Sequence, residues 1–361
     1  MPACGAPVSV DDGWEIAEPS ATGMQASKLC ELARYLDSSP QDNIHGVVVV
    51  QDGRLVFEKY LDGDDQRWGV QLGVTRHGPT VRHDVRSVTK SVISLLVGIA
   101  IDRQLIAGVD QPVFDFFPEY ASLRTPEKDR VLLRHLLAMS SGRAWNEHLP
   151  YTDLDNSERL MAEAEDPYRY VLEQPVRSPP DVVWNYSGGD TQLLEGILRA
   201  VVKQPVDEFA GEALFAPLGI TDVEWIRMPN GHLAAASGLR LRPRDMAKLG
   251  QLYLDDGKWH GRQIVSATWL HESAKPRVSS SYGYQWWTGL SVVGEKVVER
   301  VEARGLGGQR IFIVPSSDLV VVVTGGSYIK RGIENEGEIT AGILDNYVLP
   351  AVLANQAARL P

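Results

Sequence analysis

The sequence predicts an α/β (α+β) fold in which a sheet assembled from both ends of the chain carries an inserted, mostly helical domain. Three observations lead there. β-rich runs occur early, at 47–50 and 55–60, and late, at 297–302, 309–314 and 319–324. Between about Val113 and Leu254 the pattern is mostly helical, punctuated by Pro and Gly. The best helix of the chain starts near Ser87, between the early strands and that middle region. One sheet that pairs strands from the two ends is the simplest architecture for this order. The boundaries expected from it are 1–110 and 245–361 for the two parts of an α/β domain and 111–244 for the helical one. The cleft between two such domains is a natural place for a site.

Taken in order, an irregular lead-in precedes a helix predicted over about Ala26 to Leu36. Val47–Val50 and Leu55–Tyr60 flank Gln51-Asp52-Gly53-Arg54, whose Asp-Gly pair is a strong hairpin signal. Leu61 to Pro79 reads as a Gly-rich polar loop. From Ser87 onward, Val88, Ser91, Val92, Leu95, Leu96 and Ile99 form an apolar stripe at helical spacing. Leu132–Met139, Thr191–Val202 and, after Pro243, Asp245–Leu254 read as further helices. Pro315-Ser316-Ser317-Asp318 is a turn between the last two strands. A helix from about Glu338 to Leu353 closes the chain.

Composition narrows the function. The 361 residues are 43% hydrophobic and 23% charged, enough to bury a substantial core. The net charge of -11 is spread without acidic runs, which argues against nucleic acid or an anionic membrane as partner. The two cysteines, Cys4 and Cys30, predict no disulfide framework and a reduced compartment. Met1 to Ser20 has no basic cluster and no apolar run of signal-peptide length, and the longest apolar runs have strand length. The expectation is a cytoplasmic protein with no membrane partner; no pattern specifies an oligomeric state.

Several chemistries are absent as motifs. There is no Gly-x-Ser-x-Gly elbow, no phosphate loop and no His-Glu-x-x-His, since His271-Glu272 lacks its second His. Gly305-x-Gly307 has Arg310 where a dinucleotide fingerprint needs its third Gly. The eight histidines are scattered, none at close metal-ligand spacing, so no metal is expected, and His135 and His148 read as structural or surface residues.

Ser-x-x-Lys occurs at Ser87/Lys90 and at Ser327/Lys330, and only the first opens a helix. Positions three apart share a helix face, so the Lys90 amine is within reach of the Ser87 hydroxyl. A serine hydroxyl needs a base to become a nucleophile. Lysine is that base only if burial or nearby positive charge lowers its pKa. The helix start favours developing negative charge and leaves the Ser87 N–H free for an oxyanion. The competing reading is an N-cap serine beside a solvated first-turn lysine.

Ser87-Val88-Thr89-Lys90-Ser91 and the helix after it resemble the nucleophile motif of the serine β-lactamase and penicillin-binding protein superfamily. Arg134 to Gly142 is similar to the helix and turn that follow the nucleophile in its class C-like branch. Trp184-Asn185-Tyr186-Ser187-Gly188-Gly189-Asp190 resembles the tyrosine motif. Arg244 to Gly250, Tyr282 to Trp287 and Gly305 to Gln309 match later landmarks. The resemblance spans about residues 45 to 350. It implies a β-lactamase/transpeptidase-like fold, an antiparallel sheet flanked by helices with the helical domain inserted.

The resemblance also implies roles. Ser87 is the acylated nucleophile, Lys90 its base or proton relay, and Tyr186 shares the base role and passes a proton to the leaving group. The backbone N–H groups of Ser87 and Leu306 form the oxyanion hole, and no cofactor is required. Two departures redirect the substrate. Gly188 stands where the tyrosine motif commonly has Asn, and Ala303-Arg304-Gly305 replaces the Lys- or His-led third motif. Ala303 cannot hold a substrate carboxylate; Arg304 does so only if its side chain reaches the cleft. These changes resemble class C-like carboxylesterases and 6-aminohexanoate-dimer hydrolases. The expected partner is therefore a small ester or linear amide, with Arg304, Trp145 and Trp287 as candidate contacts. Trp184 and Trp286 are further aromatic candidates, and core packing claims at least two of these four tryptophans. The alternatives are a β-lactamase or D-alanyl peptidase, and a catalytically silent binding protein of the same fold.

Overall fold

The computed structural model describes residues 4–328 and 330–356. After helix α1 (Ala26–Ser38) come strands β1 (Ile44–Gln51), β2 (Arg54–Tyr60), β3 (Gly63–Arg67), β4 (Val70–Thr75) and β5 (His83–Asp84), then helix α2 (Val88–Asp102). The middle of the chain supplies α3 (Leu133–Leu137), α4 (Ser157–Glu163), α5 (Pro167–Glu173), α6 (Gly188–Val202) and α7 (Val206–Ala210). Next come β6 (Glu224–Trp225), β7 (Leu239–Leu241), α8 (Pro243–Leu254), β8 (Lys258–Trp259), β9 (Arg262–Gln263) and α9 (Ala267–Ser273). Strands β10 (Trp287–Val293), β11 (Lys296–Gly305), β12 (Gln309–Val314) and β13 (Leu319–Gly325) precede helices α10 (Lys330–Ile343) and α11 (Leu349–Gln356).

The main sheet runs β10-β11-β12-β13-β1-β2, so the two ends of the chain do meet in one sheet. Every pairing in it is antiparallel, with Val48 opposite Val322 at the seam. The runs in β1 and β13 are continuously apolar because both faces of the sheet are covered. Val48, Val50, Val320 and Val322 belong to the core that includes α2, α6 and α8. Val47, Val49, Val321 and Val323 belong to a second core under α1 and the C-terminal helices. At the β1–β2 turn, Asp52 and Gly53 both take positive φ, 52° and 70°, the geometry that an Asp-Gly pair favours.

Helix α2 differs from its amphipathic expectation. All residues from Val88 to Ala100 are buried, so the helix runs through the interior rather than along a surface. A side chain at Gly98 would lie 2.2 Å from the Trp269 ring, which shows how closely α9 covers it.

Two expectations need correction. The stretch read as a loop, 61–79, contains the β3–β4 hairpin. It escaped notice because β3 is wholly polar and Gly69 and Gly73 interrupt the next run, although Val70, Leu72 and Val74 alternate along β4; those apolar side chains stay exposed. Cys4 and Cys30, expected as reduced thiols, are joined by a disulfide that ties the lead-in to α1. Their distance in sequence concealed that the lead-in folds back across the molecule. It is held there by Arg244, whose buried guanidinium grips Glu58 at 2.8 and 2.6 Å and Asp12 at 3.2 Å. Among the described residues no helix is long and apolar enough to cross a membrane.

Candidate active site

Ser87 stands at the N-terminal end of α2, and its Oγ lies 3.1 Å from the Lys90 Nζ, which donates to it. The residue before it, Arg86, has a φ of +49°, a conformation costly for a non-glycine residue and typical of constrained functional segments. Lys90 is 1% exposed and donates a second hydrogen bond, 3.0 Å long, to the Ala236 carbonyl. Its amine lies 4.7 Å from the centre of the Tyr186 ring. Tyr186 directly precedes the N-cap of α6, where the Ser187 hydroxyl accepts from the Asp190 N–H. Helix starts thus position both the Ser87 hydroxyl and the Tyr186 phenol.

Two carboxyl groups complete this cluster, and neither was visible in the motifs. Glu147 accepts from the Trp145 indole at 2.6 Å and from the Gly188 N–H at 2.5 Å. Glu158 accepts from the Tyr151 hydroxyl at 2.6 Å and the Ser237 hydroxyl at 3.0 Å. A Cβ at position 188 would sit 3.0 Å from the Glu147 carboxylate and 3.2 Å from Ala236. The glycine that replaces the family's asparagine therefore makes room for an acid. Only folding brings Glu147, on the stretch after Gly142, to the tyrosine motif.

The charges interact strongly. Burial alone would lower the Lys90 pKa, but Tyr186, Glu147 and Glu158 outweigh it and hold the amine above its ordinary value. Lys90 is thus an ammonium at rest, contrary to the lowered pKa expected of a lysine base. Burial raises the Tyr186 phenol, and Lys90 and Ser87 pull it partly back. Burial pushes Glu147 up to about 7, against the opposing attraction of Lys90.

Gly305 ends β11 beside the nucleophile segment. A Cβ there would lie 2.2 Å from the Val85 carbonyl and 3.1 Å from the Arg86 Cβ. The glycine thus lets the strand approach Ser87, rather than admitting substrate to the strand edge. Gly307 and Gly308 follow with φ of 90° and 96°, which turns the chain immediately after Leu306. Among the described residues, neither the Ser87 nor the Leu306 backbone N–H is spent on a protein acceptor.

The aromatic candidates separate. Trp145 and Trp286 are buried in the core; Trp145 meets the site through its indole bond to Glu147 and through its backbone carbonyl, which accepts from the Asn185 amide at 3.0 Å. Trp287 is partly exposed and lies against Tyr186, Tyr282 and Trp184, with centroids 5.7, 4.8 and 5.7 Å away. Arg304 stacks 4.7 Å over the Trp287 ring while Glu302 grips it at 2.7 and 3.1 Å. Its guanidinium is already neutralised. Gln285, in the same Tyr282–Trp287 stretch, is a clamp: it accepts from Ser91 on α2 and Thr191 on α6 and donates to the Leu136 and Leu137 carbonyls. A cavity of about 730 Å³ opens elsewhere, lined by Tyr120, Tyr168, Arg199 and His232, and its lining includes neither Ser87 nor Lys90 nor Tyr186.

Three of the eight histidines, scattered in sequence, meet in space. His45, His77 and His83 converge with Asp65 behind the nucleophile segment, because β1, β3, β5 and the stretch before β5 meet there.

The profile of the beta-lactamase family matches residues 32–327. The 6-aminohexanoate-dimer hydrolase of Paenarthrobacter ureafaciens is 26% identical over 324 residues, which cover 82% of this chain and 75% of that protein. Among solved structures, EstCE1, a hydrolase with promiscuous acyltransferase activity, superposes with a TM-score of 0.64 at 14% identity, over 90% of this chain and 99% of its own. The octameric penicillin-binding protein homologue from Pyrococcus abyssi gives 0.62 at 18% identity, over 90% and 77%. These two structures share the β-lactamase/transpeptidase-like fold.

Proposed function

Since the chain belongs to the beta-lactamase family, we propose that it is a serine hydrolase that cleaves a carboxylic ester or linear amide through an acyl-enzyme on Ser87. The observation that carries this reading is the 3.1 Å contact of the Ser87 hydroxyl with the Lys90 amine, which itself lies against Tyr186. The name of the Paenarthrobacter relative, an amide-dimer hydrolase, supports the same class.

The charge pattern assigns the proton steps. Lys90, held as an ammonium, lowers the cost of ionising Tyr186; once the phenol has released its own proton to solvent, the phenolate takes the Ser87 proton as the hydroxyl attacks the carbonyl carbon. The oxyanion binds the Ser87 and Leu306 N–H groups. Tyr186 returns its proton to the departing alcohol or amine, and water then releases the acyl group. Glu147 positions this pair from behind. Trp287 forms a wall of the acyl site. Arg304, already bound to Glu302, is a poor hook for a lactam carboxylate, which favours esters and linear amides over β-lactams.

The cytoplasmic setting expected from the sequence conflicts with the Cys4–Cys30 disulfide, which cytosolic reductants would open. An oxidising compartment fits this chain better.

A fluorophosphonate probe with intact-mass detection tests the assignment, followed by a panel of p-nitrophenyl esters, linear amides and nitrocefin. The expected result is one adduct on Ser87 and turnover of esters or amides above nitrocefin. A wild-type chain that stays unlabelled, or a preference for nitrocefin, overturns it.

A further inference from the structure

The three converging histidines present a hydrogen-bonding conflict that protein atoms do not resolve. His83 Nδ1 lies 2.9 Å from the Asp84 backbone carbonyl, which only accepts. Nδ1 therefore carries the proton, and His83 Nε2 presents a lone pair. The Asn43 amide donates through Nδ2 to the Asp64 carbonyl at 2.9 Å, so its Oδ1 faces His45 Nε2 at 3.1 Å. His45 Nε2 therefore carries the proton, and His45 Nδ1 presents a lone pair. These two bare nitrogens face each other 2.8 Å apart. Both residues are almost wholly buried, at 0% and 1% exposure, and burial disfavours an extra proton there.

The surroundings complete a donor set. Asp65 Oδ1 lies 3.6 Å from His83 Nε2 and is aimed by the Tyr328 hydroxyl at 3.1 Å and the Gln66 N–H at 2.8 Å. The His77 ring stacks on that of His45, with centroids 4.1 Å apart and planes 14° apart. Its Nε2 is buried and has no hydrogen-bond partner. One donor atom from each of the four residues lies within 4.8 Å of the others. Tetrahedral coordination with bonds of about 2.0–2.1 Å spaces ligand atoms about 3.3 Å apart, between the shortest and longest separations here.

We propose that His45, Asp65, His77 and His83 bind a divalent transition-metal ion of the zinc type in a closed, structural site. Three imidazoles and one carboxylate suit that ion, and the bonds from His83 to the Asp84 carbonyl and from Tyr328 to Asp65 are the outer-shell contacts that orient such ligands. Four protein ligands leave no open position for substrate, so the ion holds parts together and does not act on a carbonyl. It cross-links β1, β3, β5 and the stretch before β5. His83 lies four residues before Ser87. Tyr328 also packs against Gly307, where a Cβ would lie 2.5 Å from its ring, and carries Arg86 4.8 Å above its face. The ion thus underlies both the nucleophile segment and the oxyanion turn.

The test uses the full chain without a histidine tag, stripped with a chelator and titrated with Zn²⁺ against a chromophoric competitor, and with Co²⁺ as a spectroscopic probe. The expected result is saturable uptake of one ion per chain, intense visible Co²⁺ bands of tetrahedral coordination, and a rise in melting temperature with Zn²⁺. His77→Ala, which removes a ligand without breaking a hydrogen bond, should weaken uptake at least about 10-fold, as should Asp65→Asn. Absence of saturable uptake overturns the proposal, as does uptake undiminished in both variants. If neither variant folds, the wild-type Co²⁺ spectrum decides: no tetrahedral bands, no site.

Discussion

Four residues upstream of Ser87, His83 joins two other imidazoles and a carboxylate; three residues downstream, Lys90 joins a phenol and two carboxyl groups. Both clusters are buried polar assemblies, yet they differ in their proton inventory. Around Lys90 there are several protons and several acceptors, and burial raises both the Glu147 carboxyl and the Tyr186 phenol while the Lys90 ammonium opposes both shifts. Such a cluster has the inventory that the proposed proton transfers require. Around His83 the hydrogen bonds to Asp84 and Asn43 have used the available protons, and lone pairs face lone pairs. Such a cluster is completed by a cation. Burial therefore does not by itself distinguish a catalytic group from a structural one; the count of donors against acceptors does.

Substitutions can break this contrast, beginning with the largest effect. Ser87→Ala should lower turnover of a p-nitrophenyl ester by at least about 10³-fold, measured as kcat, while the histidine cluster keeps its metal uptake. Gly305→Ala should cost about 10²–10³-fold in kcat, because a side chain 2.2 Å from the Val85 carbonyl drives the Leu306 N–H away from Ser87. Lys90→Ala should cost at least about 10²-fold, with Ser87 still present but no ammonium beside Tyr186.

Smaller effects sharpen the comparison through stability. The Cys4–Cys30 disulfide closes a separation of 26 residues, away from both clusters. Replacing both cysteines by serine should lower unfolding free energy by about 3 kcal/mol in urea and leave kcat/KM unchanged. Glu147 tests the titration. Its folded pKa of about 7 lies above the ordinary 4.5, so the stability it contributes is present below about pH 4.5 and lost as pH rises through 7. Glu147→Gln should flatten the fall in stability between pH 5 and 8 by on the order of 2 kcal/mol, allowing for its partial exposure. An unchanged pH profile would show that the carboxyl is not perturbed.

Local pattern was a good guide where one side chain's surroundings follow from its own segment. The Asp52-Gly53 turn, the continuous apolar runs of β1 and β13, and the Ser87–Lys90 spacing on α2 are all read from neighbours a few residues apart. The β3–β4 hairpin looks like a loop because β3, Gly63–Arg67, is polar and glycines flank and interrupt β4, whose alternating Val70, Leu72 and Val74 face solvent. Glu147 was missed for another reason: a carboxylate in a polar stretch looks solvated until Gly188 and Trp145 enclose it. Trp145 and Trp287 look alike in sequence, yet one is core and the other lies partly exposed against Tyr186.

The sequence by itself determined that both chain ends build one sheet, that a helix starts near Ser87, and which serine carries a lysine on its own helix face. These follow from periodicity and short-range geometry. The tertiary structure decided the rest: that carboxyl groups keep Lys90 charged, that Gly305 lets a distant strand reach the nucleophile, that Cys4 meets Cys30, and that three separated histidines meet around Asp65. Each is a contact between segments far apart in the chain, and the energy of a charge or a lone pair depends on what lies within a few ångströms of it, which no sequence spacing encodes.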